Sequence, residues 1–296
     1  MKNKDNLVNQ RENHDFLKSA LTLKGSITPK ILHKVIMVVI YSVLVSCLNY
    51  YYPEIILPIG PFEYGGFIMG LLLVFRINAG YDRWWEARKL WGSIVNLSRN
   101  LTIIILNYSN PKHRDWEHKI TNYIAALPYL IKNSLRFNND IETLSPLLDA
   151  SSYSQLARAE NKPVILTSLI ANELQIARNN NSLNEFAFIQ AEDKRAQLID
   201  AYGACERILK TPMPFVMAVK SRLYILIFLL MLPFALVGVS LWINPVITGL
   251  VAYALFALDQ IGVELQNPFS EYSLSHLPLT DICRTIEKNV KELSNR

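Results

Sequence analysis

Charged and uncharged stretches alternate on a scale set by membrane thickness. Residues 35–52 form an uncharged run of 18, close to the roughly 20 apolar residues that carry a helix across a hydrocarbon core about 30 Å thick. The run ends in Tyr50, Tyr51 and Tyr52, amphipathic rings that favour a membrane–water boundary. Pro53, Pro58, Gly60 and Pro61 then predict a turn. Residues 65–75 are apolar again and stop at Arg76. Residues 223–258 are 36 consecutive uncharged positions. One straight helix of that length would extend about 54 Å, so the segment is expected to double back, with Asn244-Pro245 as its turn and Pro233 as a kink. The pattern predicts four spanning helices, the last two a hairpin over 215–243 and 246–265. Between Arg76 and Arg222 apolar residues recur at helical spacing, notably over 82–107 and 116–136. Asn110-Pro111, Asn138-Asn139-Asp140, Pro146, Pro163 and Asn179-Asn180-Asn181 interrupt them, which predicts four or five helices there.

Charge orients the spans. Lys and Arg number seven over 1–34, none over 53–64, 19 over 76–222, none at 244–245 and four after 258. Basic residues stay on the cytoplasmic side, so both termini and the central region are expected inside, in a multi-pass protein of the inner (plasma) membrane. A two-span alternative would put the basic 76–222 region outside. The expected division is a cytoplasmic arm (1–30), transmembrane helices 1 and 2 (31–81), a cytoplasmic helical region (82–214), transmembrane helices 3 and 4 (215–265) and a cytoplasmic tail (266–296). Of the 296 residues, 51% are hydrophobic, which fits a chain partly in lipid and partly in water. A net charge of +5 makes no case for nucleic acid. Cys47, Cys205 and Cys283 are odd in number and far apart, as free thiols are. The first apolar run follows about 30 polar residues and no cleavage-site pattern, so no secretory leader is expected.

Enzyme signatures are missing from the sequence. His113 and His118 lie five apart, on different faces of a helix, with no third ligand near. There is no phosphate-binding glycine loop and no nucleophile elbow, so neither catalysis nor a metal or cofactor is expected. Phe67, Leu71 and Phe75 are spaced four apart and share one helix face. Such a stripe fits ordinary packing. It also fits a constriction in a symmetric oligomer, where rings of apolar side chains gate by dewetting. Glu63 and Arg76 flank it as candidate pore-mouth charges. Asp259 and Glu264 follow the last span directly, and intramembrane carboxylates take partners; Arg76 or Arg83 is the expected one.

The run Phe75-Arg76-Ile77-Asn78-Ala79-Gly80-Tyr81-Asp82-Arg83-Trp84-Trp85-Glu86-Ala87-Arg88 resembles the signature of bestrophin channels, especially bacterial ones. Gly203-Ala204-Cys205-Glu206-Arg207-Ile208, Thr211-Pro212-Met213-Pro214 and Glu264-Leu265-Gln266-Asn267-Pro268-Phe269 agree in the same order. The resemblance spans about residues 25–290. It implies an all-α membrane protein with four transmembrane helices and a large cytoplasmic helical region, assembled as a homopentameric channel for monovalent ions in the lipid bilayer. It puts Phe67, Leu71 and Phe75 on the pore neck, and a second, cytosolic aperture at Phe186, with Ile189 as the alternative. The family name implies chloride-type anions, although some bacterial members favour cations, and Glu54 and Glu63 at the outer mouth point the same way. Eukaryotic members follow Asn-Pro-Phe with an acidic calcium-binding cluster. Here Glu271 is the one carboxylate that follows Phe269 closely, too few oxygens for calcium. A membrane-anchored scaffold whose 76–222 region binds a soluble partner is the reading outside the channel class.

Overall fold

The structure is a computed structural model that describes residues 22–23, 25–110 and 114–295. The expected arm up to residue 21, and His113, lie outside the described residues. Among these residues the fold is helical throughout: α1 (Thr28–Tyr51), α2 (Gly60–Tyr108), α3 (Arg114–Leu135), a 3-10 turn (Glu142–Leu147), α4 (Ala150–Arg158), α5 (Lys162–Asn179), α6 (Glu185–Lys210), α7 (Phe215–Leu236), α8 (Asn244–Glu264) and α9 (Leu279–Ser294). A single bridge, Ser109 to Leu183, is the only strand-like pairing among them. The chain divides into two compact units: residues up to Gly80 with Pro214–Glu264, and Tyr81–Met213 with Leu265 onward. Helix α2 contributes to both, and Gly80 does not interrupt it.

The first unit holds α1, the start of α2, α7 and α8. Among the described residues, four helical stretches are long and apolar enough to cross a membrane, and these helices carry them. Met69 and Leu73 of α2 pack with Ile225 and Leu229 of α7 and Ala252 and Leu255 of α8. Gly249 sets the spacing of α8 against α1, since a Cβ there would come within 2.8 Å of Val39; small residues allow such close approach. Hydrogen bonds cross the same contact. Asn244 Nδ2 donates to Ser46 Oγ (3.0 Å) and to the Pro233 carbonyl (3.2 Å), Thr248 Oγ1 donates to Asn244 Oδ1 (3.0 Å), and Ser42 Oγ donates to Thr248 Oγ1 (3.3 Å). The Asn244-Pro245 turn is therefore corrected: the chain reverses over 237–243, and Asn244 opens α8. Proline lacks an N–H, which the first turn of a helix does not use, so Pro245 starts a helix as readily as it breaks one.

A buried charge cluster ties this unit together. Arg76 on α2 is 2% exposed. Its Nη1 donates to Asp259 Oδ1 on α8 and to Ser221 Oγ on α7 (3.3 Å). Arg222 Nε reaches the other Asp259 oxygen at 3.3 Å. Glu264, also buried, binds Lys30 Nζ of α1 at 2.7 Å and accepts from Gln260 at 2.8 Å.

The second unit has one continuous apolar core, including Trp91, Ile94 and Leu101 of α2, Ile120, Ile124 and Leu127 of α3, Leu166, Ile170 and Leu174 of α5, Leu198 and Tyr202 of α6, and Ile286 and Val290 of α9. The three- and four-residue spacings are those of one helix face turned inward. Asn161 caps α5 by accepting from the Val164 N–H (3.4 Å), and Asn184 caps α6 by accepting from the Ala187 N–H (2.9 Å). Asn181 sits at φ +54°, the left-handed conformation in which Asn often ends a helix. Cys205 and Cys283 are fully buried in this core, and burial pushes both thiols up to about 12.

Two outcomes follow. Asp259→Asn leaves the buried Arg76 charge uncompensated and is expected to cost about 3–5 kcal/mol, whereas Arg284→Gln breaks the exposed pair with Asp281 and costs about 1 kcal/mol or less. Thermal unfolding of the purified protein in detergent measures both, and equal shifts would contradict the assignment. The thiolate is the reactive form, so Cys205 and Cys283 should resist a maleimide at neutral pH until the protein is denatured; labelling of the folded protein at either is the contrary result.

Candidate functional site: an exposed apolar stripe on α2

Each residue of an α-helix turns the side-chain direction by about 100°. Phe67, Leu71 and Phe75 therefore advance along α2 with about 40° of drift per step. Met69, Leu73 and Arg76 face the other way and are buried. The stripe itself is open, with Phe67 75%, Leu71 46% and Phe75 57% exposed in the protomer. Ordinary intrachain packing is thus corrected for these three, because the interior of the unit uses the opposite edge of the helix. Large apolar side chains in a row at the surface mark a face that is covered or functional.

The charges around the stripe are placed unequally. Glu63 lies four residues before Phe67 and is exposed. Arg76 lies about 180° around the helix from Phe67, inside the unit. Its expected position at a pore mouth is corrected, since its charge is taken up by Asp259. Residues 60–80 contain these two charges and no other. For Asp259, Arg76 is the partner seen, joined by Arg222. For Glu264 it is Lys30. Arg83 is corrected more fully: its guanidinium donates to the Ile208 carbonyl, to Thr211 O (2.6 Å) and to Gln266 O (3.3 Å). It thereby satisfies carbonyls that the end of α6 leaves without helical partners.

The aperture candidates lie on the first two turns of α6. Phe186 is 82% and Ile189 59% exposed, while Ala187 between them is buried. After Phe269, the Glu271 carboxylate is bound by Arg136, whose Nε also donates to the Phe269 carbonyl (3.0 Å). No group of three His, Cys, Asp or Glu able to hold a metal is present among the described residues.

Sequence reasoning missed the Ser42–Thr248–Asn244–Ser46 network, the Lys30 pairing and the Arg83 cap. The first had a signal: Ser42 and Ser46, like Asn244 and Thr248, are four apart within otherwise apolar runs. Lone polar residues in membrane helices commonly bond across to another helix. The other two had none, because their partners lie more than 100 residues away.

Comparison with known proteins identifies the family and its fold. Residues 6–292 match the family described as "Bacterial/Fungal Bestrophin protein". The voltage-dependent anion channel-forming protein alr2987 of Nostoc sp. is 35% identical, over 93% of this chain and 91% of its own. Its namesake sll1024 of Synechocystis sp. is 33% identical, over 92% and 90%. YneE of Escherichia coli K12, which carries the same description, is 29% identical, over 96% and 93%. The crystal structure of a bacterial bestrophin homologue from Klebsiella pneumoniae superposes with a TM-score of 0.84 at 28% identity, covering 90% of this chain and 99% of that one. The chain belongs to the bestrophin family, within its bacterial and fungal group.

Proposed function

We propose that the protein is a passive ion channel in which five copies surround a central pore and α2 is the innermost helix. The observation that carries this reading is the Phe67, Leu71 and Phe75 stripe, exposed on a helix able to span a membrane. One protomer with four spans is too thin to enclose a pore. A closed ring of identical copies covers the flanking faces and leaves one face of each copy on the axis. The five-fold count is the one the family resemblance implies. On that axis the stripe forms three apolar rings. Ions shed part of their hydration there, and current depends on whether the neck wets. Phe186 or Ile189, both exposed at the start of α6, forms the second constriction. The charge count supports a plasma-membrane protein with both termini and the central helical region in the cytoplasm. Conduction is the whole activity, and no chemical step is assigned.

Small monovalent anions of the chloride type are the leading permeant ions, since the curated relatives are named anion channel-forming proteins. A second reading, sodium-type cation selectivity, has a specific observation behind it. Glu54 and Glu63 precede the neck with no Lys or Arg from 53 to 75, and the nearest positive charge, Arg76, is buried against Asp259. Carboxylates at the mouth concentrate cations.

In planar bilayers Leu71→Ala or Phe75→Ala, each alone, should raise single-channel conductance; unchanged currents in both would remove the neck assignment. Under a chloride salt gradient across liposomes, the reversal potential should move toward the chloride equilibrium. A shift toward the cation equilibrium selects the second reading, and absence of current from an assembled oligomer favours the membrane-anchored scaffold. Chelating calcium should leave the current unchanged, because Arg136 occupies Glu271 and the tail after Phe269 offers too few oxygen ligands. A current that calcium restores would contradict this.

A further inference from the structure

Beside the buried charge cluster, a groove of about 510 Å³ opens between α1, α7 and α8, wholly within the first unit. Its length is apolar, walled by Met37, Leu226 and Leu230 among others, and its polar end holds Lys34, Arg222 and Asp259. The two cations sit at one level. Tyr41 Oη donates to the Leu230 carbonyl at 2.9 Å, and Lys34 and Arg222 lie seven and eight residues before that contact on α1 and α7. From Lys34 to Tyr51 is about 26 Å along α1. With the tyrosines at one boundary of a core about 30 Å thick, Lys34 and Arg222 reach the head-group level of the opposite leaflet.

The charges here do not balance. Asp259 is shared by Arg76 and Arg222, which leaves one positive charge over. Lys34 adds a second. It has no ion-pair partner among the described residues, and its ammonium stands 6.0 Å from the centroid of the Phe256 ring. Two nitrogens of Arg76, Nε and Nη2, are buried without a hydrogen-bond partner. Uncompensated cations at membrane depth are unfavourable, whereas cations at the head-group level attract anionic lipid.

We propose that this groove binds one anionic phospholipid per protomer, its phosphate between Lys34 and Arg222 and an acyl chain along Met37, Leu226 and Leu230. The lipid's negative charge offsets the cluster's excess, and its chain covers the apolar wall. The site involves none of the pore residues, so it stands or falls independently of the channel reading.

Native mass spectrometry of the full-length oligomer in detergent tests it, with phosphatidylglycerol and phosphatidylcholine added at equal concentration. Phosphatidylglycerol should bind the tighter, up to one per protomer. Lys34→Gln should weaken phosphatidylglycerol about fivefold and leave phosphatidylcholine unchanged. Leu226→Trp, which fills the groove but keeps the charges, should weaken both. Equal binding of the two lipids, or phosphatidylglycerol binding unaltered in both variants, overturns the proposal. Displacement of phosphatidylglycerol by millimolar inorganic phosphate overturns it in favour of a free anion. Leu226→Cys, in a Cys47→Ser background, that stays unlabelled by a maleimide in the delipidated oligomer but labels in the dissociated protomer overturns it in favour of a subunit contact.

Discussion

A guanidinium buried among helices must find counter-charge within the protein, and that requirement fixes the rotation of α2. Arg76 is the only basic residue between Pro53 and Arg83. Pairing with Asp259 of α8 turns it inward, toward α7 and α8. Because the helical repeat is fixed, Phe67 and Leu71 then have to face outward. One ion pair thus decides which side of α2 packs within the protomer and which is left exposed. The same pair buries the positive charge closest to the apolar stripe, so Glu63 remains the exposed charge on that part of α2.

Much of this was legible in the sequence, for identifiable reasons. Uncharged runs report membrane spans directly, because no hydration is available in the hydrocarbon core. The stripe at four-residue spacing was visible as a face, but the sequence could not say whether the face points inward or outward. That depends on Asp259, 183 residues away from Arg76. Prolines misled locally: Asn244-Pro245 reads as a turn and in fact starts α8. Arg83 sits among Trp and carboxylates and reads as an ion-pair donor, yet it binds carbonyls near the end of α6. Arginine has enough donors to satisfy several carbonyls at once, and nothing in its local sequence distinguishes the two uses.

Polar groups within the first unit serve packing and function differently. The Ser42–Thr248–Asn244–Ser46 chain is internally matched and buried, so it orients α1 and α8 without presenting charge to anything else. The Arg76–Asp259–Arg222 cluster is mismatched by one charge. Its polar residues are ones that the packing within the unit does not fully neutralise.

The central claim is that α2 presents Leu71 to a water-filled axis. Current through Leu71→Cys and Leu72→Cys channels, each in a Cys47→Ser background and exposed to a charged, membrane-impermeant thiol reagent, tests it most directly. Leu72 is nearly as exposed in the protomer as Leu71 but lies about 100° around the helix. Irreversible change of the current at Leu71→Cys with none at Leu72→Cys is the predicted result. Modification at Leu72→Cys, with Leu71→Cys untouched, would mean that another face of α2 lines the pore.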